Sequence, residues 1–417
     1  MRIGFFTDSY LPRADGIAVS VETFRVELEK LGHEVFIIAP AAGLRVKEPS
    51  KRIIRFPAFK GLFFDDYQTT LYFPPQALRR VDKAKLDVIH YHTPGQVGLL
   101  GAYYGKRHNL PVLTTYHTDL REYVLHYKNV LPGTIVLSLL APLITGGKIE
   151  DYRTVLANIR PEPSIDNWNQ KVVENGLSVI HNACDEIIAP SLKVKHMLEK
   201  WNSPTHITVL QTGVERIPTT KRDIASWRKR LSLADDTPVV LFVGRLGTEK
   251  NLDLLIEAFA LLAKKNDRAQ LVVVGGSGSL TEASSETYVA ATRHLFGGER
   301  VKFTGWVPHD KLGALYGLGT VFAFPSLTET QGLVINEAAR SGLPIVLVDG
   351  EVSDVAINGE NGYTAKPTAK DLADKLGKIL DSPDLQKQMS LRSQELAAQY
   401  GARQQAQKLL RLYEEVI

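Results

Sequence analysis

Residues 238–265 read PVVLFVGRLGTEKNLDLLIEAFALLAKK. A run of β-branched and aromatic residues ends at a glycine, a short polar loop follows, and an apolar helical repeat begins near Asn251. The run has the pattern of a strand buried on both faces, and the segment after it has the length and spacing of an amphipathic helix. Strand, tight loop and helix make half of a βαβ unit. The grammar repeats downstream, with strands expected at 269–275, 301–305, 320–325 and 344–348. Upstream, strands are expected at 2–8, 34–40, 87–92, 111–117 and 186–191, with a helix near 17–31 that stops at Gly32. Alternation of this kind predicts parallel sheets and an α/β chain with two doubly wound domains.

The length agrees, because ordinary domains hold about 100–200 residues and this chain has 417. The stretch TGVERIPTTKRD reads as a polar connector, so the domains are expected to span 1–205 and 206–395. The remaining segment, 396–417, carries an amphipathic helix with apolar Leu409, Leu410, Leu412, Tyr413 and Val416.

Composition narrows the class. With 44% apolar and 23% charged residues the chain is a soluble globular protein, and a net charge of +4 is too small for a dedicated nucleic-acid binder. The whole excess falls within residues 1–200, so any affinity for an anionic surface belongs to that half. Cys184 is the only cysteine, which excludes an intramolecular disulfide and a cysteine-based metal cage and fits a reducing cytoplasm. Thr7 and Asp8 interrupt the opening apolar run, which reads as a first strand and not as an export signal. The uncharged stretch 129–147 is broken by Pro132 and Pro142; it reads either as a buried helix with loops or as a shallow lipid-contacting surface. The basic residues Lys51, Arg52, Arg55, Lys60, Arg79, Arg80, Lys83 and Lys85, interleaved with FKGLFF, form either a membrane-facing patch or a solvated surface.

Ligands of open parallel sheets bind beyond the carboxyl ends of the strands, so chemistry is expected there. Arg245 and Lys250 follow the strand 238–244; a planar fork of donors beside a mobile point charge suits a diphosphate, or the two are ordinary surface cations. In PSLTETQGLVINEAARSGLP, residues 325–344, Gly332 opens a helix whose first-turn N–H groups favour a phosphate or sugar hydroxyls. Glu329 and Glu337 bracket that turn. They are placed to accept from sugar and ribose hydroxyls, or else Glu329 caps the helix and Glu337 pairs with Arg340. Gly16, at the start of the first helix, would let a ligand approach the backbone. His117 ends a strand, where an imidazole serves either as a donor to a sugar or as a core histidine beside His90 and His92. There is no G-x-G-x-x-G after the first strand, no Walker loop, no H-E-x-x-H and no Asp-x-Asp pair.

FVGRLGTEKN, FTGWVPHDKLGALYGLGTVFAFPS and the two glutamates followed by AARSGLPIV resemble the retaining GT-B glycosyltransferases of group 1, the glycogen-synthase-like and sucrose-synthase-like clan. FFTDSYLPRADGIAVSVETFRVELEKLGHEVFIIAP, SLTETQGLV and LQTGVE look most like bacterial enzymes that glycosylate diacylglycerol and the plant sulfoquinovosyl-lipid enzymes. The resemblance implies two Rossmann-like domains facing across a cleft, with the last helix crossing back to the first domain. It implies a nucleotide-diphosphate sugar as donor, with UDP-glucose expected, no metal and no cofactor. The implied acceptor is a diacylglycerol-type lipid, reached by a cytoplasmic enzyme peripheral to the membrane. Arg245 and Lys250 would bind the diphosphate, and Glu329 the sugar hydroxyls. Backbone amides from Thr330 through Gln331, Gly332 and Leu333 to Val334 would meet sugar and phosphate, and Glu337 would grip the ribose. Gly16 would lie against the diphosphate and His117 near the transferred sugar. Other readings are a mannosyl or other hexosyl transferase using a GDP- or UDP-sugar, and a non-catalytic sugar-nucleotide-binding partner. The chain departs from the pattern where Asp15 replaces a first glycine before Gly16, and where Asn336 replaces an apolar residue before Glu337. The segment 146–175 matches no pattern.

Overall fold

Phe5 and Phe6 are neighbours in the chain, yet they bury completely on opposite faces of one sheet. Side chains of a strand alternate between faces, and Ile37 and Ile38 on the adjacent strand divide in the same way. Only a sheet covered on both sides needs apolar residues in consecutive positions. The computed structural model that shows this describes residues 1–13, 15–41, 50–60, 68–70, 72–126, 130–145, 153, 164–201, 203–276 and 300–417.

The described residues divide into two compact units, Met1–Gly213 with Ala402–Ile417, and Val214–Gly401. The first is built on seven parallel strands: β1 (Arg2–Phe6), β2 (Glu34–Pro40), β3 (Ile53–Phe56), β6 (Val88–Tyr91), β7 (Val112–Thr115), β8 (Glu186–Ala189) and β9 (His206–Val209). Their order across the sheet is β3-β2-β1-β6-β7-β8-β9. A separate antiparallel pair, β4 (Phe59–Lys60) and β5 (Gln68–Thr69), lies between β3 and β6 in the chain. The second unit holds β10 (Val239–Val243), β11 (Gln270–Val274), β12 (Val301–Phe303), β13 (Val321–Phe324), β14 (Ile345–Leu347) and β15 (Gly362–Thr364), in the order β12-β11-β10-β13-β14-β15. All six are parallel. In both sheets the order reverses at the first strand of the unit, which is where open α/β sheets leave a crevice.

The strand expected at 238–244 forms as β10, and the helix after it spans Leu252–Ala263 with Leu252, Leu255, Ile256, Phe259 and Leu262 buried. Five strands escaped the sequence reading: β3, β9 and β15 of the two parallel sheets, and the short pair β4 and β5. Because β9 pairs with β8, the segment from 206 to 213 belongs to the first unit, and the expected domain start at 206 is corrected to 214. The last segment likewise begins later than 396: helix Pro383–Ala398 stays in the second unit and helix Ala402–Val416 joins the first. Leu409 and Tyr413 of that helix are fully buried with Ile3, Phe5, Val21 and Leu28, and Tyr413 Oη lies 2.7 Å from His90 Nδ1.

The stretch 129–147 contains helix Val130–Thr145, with Pro142 inside it. One face approaches helix Ile165–His181 so closely that a Cβ at Gly176 would fall 1.8 Å from Ser138 Oγ. Val136, Leu140 and Leu143 are 50%, 42% and 71% exposed, so the helix is not simply buried. No helix among the described residues is long and apolar enough to cross a membrane. The glycine-rich stretch 275–279 lies, from 277 onward, outside the described residues, as does most of 146–163.

Candidate functional site

In the second unit, β10 and β13 lie side by side and deliver their following loops to the same edge of the sheet. Two hydroxyls and an amide join these loops. Ser326 Oγ and Thr328 Oγ1 donate to the carbonyl of Glu249 at 3.2 and 3.3 Å, and Asn251 Nδ2 donates to the carbonyl of Pro325 at 3.4 Å. Lys250 is thereby held against Glu329, and its ammonium donates to Oε1. The two side chains are only 13% and 15% exposed, so Lys250 is not an ordinary surface cation. Burial pushes the Glu329 carboxyl up, but the Lys250 ammonium, the Ser326 hydroxyl and the charge of Arg245 outweigh it and hold the acid below its ordinary range. Arg245 reaches back to Glu249 Oε1 at 3.3 Å while its side chain stays half-exposed.

The next turn opens helix Leu333–Arg340. Gly332 has φ +67°, and a Cβ there would lie 2.7 Å from Ile335 Cδ1, so the position favours glycine twice over. No side chain caps this helix, which excludes Glu329 as its cap and leaves the first turn to other acceptors. Thr330 and Gln331 are buried before it, and Leu333 and Val334 are partly buried at its start. The expected pairing of Glu337 with Arg340 does not form: Arg340 reaches Glu215 at 3.4 Å. Glu337 instead accepts from Tyr316 Oη at 2.6 Å and from His309 Nε2 at 2.8 Å. The hydrogen bond to Glu337 holds His309 above its ordinary range, against its own burial. Asn336 is fully buried and accepts from Ser353 Oγ at 2.9 Å, which accounts for a polar residue at that position.

Two helix starts at the carboxyl ends of strands in the first unit differ in what holds them. At helix Gln96–His108 the start is occupied by Asp8, whose carboxylate accepts from Thr93 Oγ1 at 2.5 Å and from the Val97 amide at 2.9 Å. Helix Gly16–Lys30 starts differently. Asp15 is its N-cap, accepting from the Ala18 amide at 2.9 Å, and Ser9 and Arg13 hold its other oxygen at 2.5 and 2.7 Å. The departure before Gly16 is thus a capping residue with a partnered charge. A Cβ at Gly16 would meet nothing within 4 Å, so no protein atom requires glycine there.

His117 follows β7 and is partly buried, with Nε2 3.0 Å from Nδ1 of His92. His92 stacks in turn on His90 at 4.1 Å between ring centroids. Burial lowers all three imidazoles, His117 to about 4 even though the nearby Asp15 charge opposes the shift. They stay neutral at neutral pH.

Sequence reasoning singled out Arg245, Lys250, Glu329, Glu337 and the turn from Thr330 to Val334, and the second unit brings these into two neighbouring loops and one helix. Ser326, Glu249, His309 and Tyr316 went unread. Their signal was local only for Glu249, inside GTEKN; the other contacts depend on tertiary packing. Among the described residues no group of three or more His, Cys, Asp or Glu is arranged to hold a metal.

Two parallel-sheet units, with charged and glycine-bearing loops at the carboxyl ends of their strands, have the fold of the GT-B class. Residues 223–396 match the family model described as glycosyl transferases group 1, and residues 14–216 match that of glycosyltransferase family 4. Residues 223–396 thus carry a group 1 glycosyltransferase domain, and the two matches together span most of the chain. It is 28% identical over 351 residues to alpha-monoglucosyldiacylglycerol synthase of Streptococcus pneumoniae, covering 83% of this chain and 70% of that one. To the protein of the same name from Acholeplasma laidlawii it is 27% identical over 372 residues, covering 87% and 84%. Among solved structures, Anabaena HepE in complex with UDP superposes with a TM-score of 0.72 at 18% identity, over 100% of both chains. HepE has also been solved in complex with UDP-glucose, with a TM-score of 0.69 at 17% identity over 99% of both. At such identities the structural likeness speaks for the fold.

Proposed function

We propose that this glycosyltransferase moves glucose from UDP-glucose to a diacylglycerol-type lipid, without a metal and with retention of configuration. The observation that carries the reading is the ion pair of Lys250 with Glu329, held beside Arg245 and before the uncapped start of helix Leu333–Arg340. A diphosphate exchanges for Glu329 at Lys250, and the freed carboxylate accepts from sugar hydroxyls. Arg245 and the amides from Thr330 to Val334 share the phosphate charge, and Glu337 takes the ribose. In the first unit, Gly16 and His117 are the groups we assign to the same donor. The names of the two curated relatives support the lipid acceptor and the glucosyl group, and the UDP-glucose bound by HepE supports the donor.

In the transfer, the bond between the sugar's anomeric carbon and the phosphate oxygen breaks, and its electron pair leaves with UDP. Fixed cations at that oxygen lower the barrier, because that is where negative charge develops. The acceptor hydroxyl forms the new bond on the same face and gives its proton to the departing phosphate oxygen. Glu329, bound to outer hydroxyls, is then not a covalent nucleophile; a trapped glycosyl-Glu329 adduct would replace this scheme with the two-step one. Contact with the membrane is supported by Val136, Leu140 and Leu143, which share one exposed helix face at i, i+4 and i+7. The basic patch contributes less than its sequence suggests, since Arg52 pairs with Glu34 at 3.2 Å and Arg55 donates to the carbonyls of Pro40 and Leu11.

The deciding experiment incubates purified protein with labelled UDP-glucose, UDP-galactose or GDP-mannose, with and without diacylglycerol in mixed micelles, and with and without EDTA. α-Glucosyldiacylglycerol formed equally well in EDTA is the expected product. Transfer from GDP-mannose alone, or to a soluble acceptor alone, would replace the substrate assignment, and no turnover with any pair would remove it.

A further inference from the structure

β6 and β7 are parallel neighbours with His90 opposite Leu113 and Tyr91 opposite Thr114. The period of two therefore brings His90 and His92 onto the same face as Thr115 and His117. His90 has both nitrogens engaged, Nδ1 with Tyr413 Oη at 2.7 Å and Nε2 with Thr115 Oγ1 at 2.8 Å. It is a fixed plate on which His92 stacks.

His92 is 1% exposed. Its Nδ1 meets His117 Nε2 at 3.0 Å, while its Nε2 is buried without a hydrogen-bond partner. Phe5, T-shaped against it at 4.7 Å, offers no lone pair. A neutral imidazole carries one N–H and one acceptor nitrogen. Two arrangements make the same bond to His117, and they differ only in what is stranded at His92 Nε2, either an N–H or an unused lone pair. Among buried backbone groups an orphaned N–H is rarer than an under-used acceptor, and we apply the same ordering to the ring nitrogens. The proton of His92 therefore sits on Nδ1 and is donated to His117, which must accept at Nε2 and keep its own proton on Nδ1.

We propose that His92 is a positioning residue that fixes His117 as its Nδ1–H tautomer, so that the second nitrogen of His117 is always a hydrogen-bond donor. Resting on the reading of His117 as a contact to the transferred sugar, this defines how His117 acts there, as a donor to a sugar oxygen and not as a base. Burial depresses both imidazoles, which keeps the pair neutral and the direction of the bond fixed across physiological pH.

The test is histidine-selective 15N labelling of the full chain, with long-range 15N–1H correlation of the ring nitrogens. In the unaltered protein His117 should show a protonated Nδ1 and an unprotonated Nε2. His92→Phe should release His117 toward the Nε2–H tautomer and lower kcat about tenfold, with little change in donor KM. His92→Asn, whose amide can donate to the same nitrogen, should restore both the tautomer and most of kcat. A proton found on His117 Nε2 in the unaltered protein overturns the proposal, and that spectrum decides it even if His92→Phe folds poorly. An unchanged His117 tautomer in a folded His92→Phe overturns it too. A shifted tautomer with unchanged kcat upholds the tautomer control and refutes the placing of His117 at the sugar.

Discussion

Lys250 and Glu329 hold each other, so a phosphate that claims Lys250 displaces a carboxylate, which must then find hydroxyls. Glu337 already has two partners, Tyr316 and His309, and needs no such exchange. Their removal should therefore fail differently. Glu329→Gln should lower kcat by roughly ten- to a hundredfold, the worth of one charge-assisted hydrogen bond, with a smaller effect on UDP affinity. Glu337→Gln should weaken UDP binding by a similar factor in calorimetry and leave kcat nearly intact. Equal loss of thermal stability in both, with unchanged kcat and UDP affinity, would return them to a structural role. His309 adds a pH dependence. Its folded value is raised above 6.5, so its contact with Glu337 stabilises fully below about pH 6.5 and is lost as pH rises through the folded value. The difference in Tm between the unaltered protein and His309→Asn should shrink with rising pH; a constant difference would deny the ion pair. Lys250 and Glu329 were legible because they stand at strand ends in short loops. His309 was not, because its partner is 28 residues away and the contact depends on how helix Leu312–Leu318 packs.

Among the elements, two glycines that look alike in sequence carry different weight. Gly332 sits at a left-handed turn with Ile335 against it, so Gly332→Ala should cost about 1–2 kcal/mol in urea melting. Gly16 has open space around it, and Gly16→Ala should leave stability unchanged or slightly raised while weakening affinity for UDP-glucose. Destabilisation of both, with normal affinity, would make Gly16 a packing residue. The strands missed from the parallel sheets lie at sheet edges, although the edge strand β12 was read. The central strands β2, β10 and β13 are buried on both faces and read as near-continuous apolar runs. β3, β9 and β15 are edge strands with partly exposed residues; in β9, His206 is exposed and Thr208 and Val209 only partly buried. One missed edge strand also displaced the domain boundary, since the second domain was taken to begin at 206, inside β9 and ahead of the polar connector that opens at Thr212.

Taken whole, the molecule distributes its titratable burial unevenly. His90, His92, His117 and His181 are all lowered by burial, and all lie in the first unit. Each takes up a proton on unfolding below about pH 6.5, so the unfolded state binds more protons and stability falls as pH falls toward the folded values, about 4 for His117 and His181 and about 3 for His90. Asp8 works in the opposite sense, since burial raises its carboxyl, but it is one acid against four imidazoles. Hydrogen exchange at mildly acid pH should show residues of the first unit opening before 214–401, where His309 adds stability instead. Simultaneous opening would contradict this division. At the membrane, anionic vesicles should retain the unaltered protein more than neutral ones, and Leu140→Ser with Leu143→Ser should reduce retention on both; unchanged retention removes this helix face from the contact. Tyr413, set on His90 with Leu409 beside Ile3 and Phe5, has a consequence for synthesis. The ribosome must make all of 214–401 between the two parts of one core, an interval on the order of ten to forty seconds at about 5–20 residues per second. During that interval the nascent first unit exposes the apolar groove that helix Ala402–Val416 will fill, which makes it a client for chaperones until its last helix arrives.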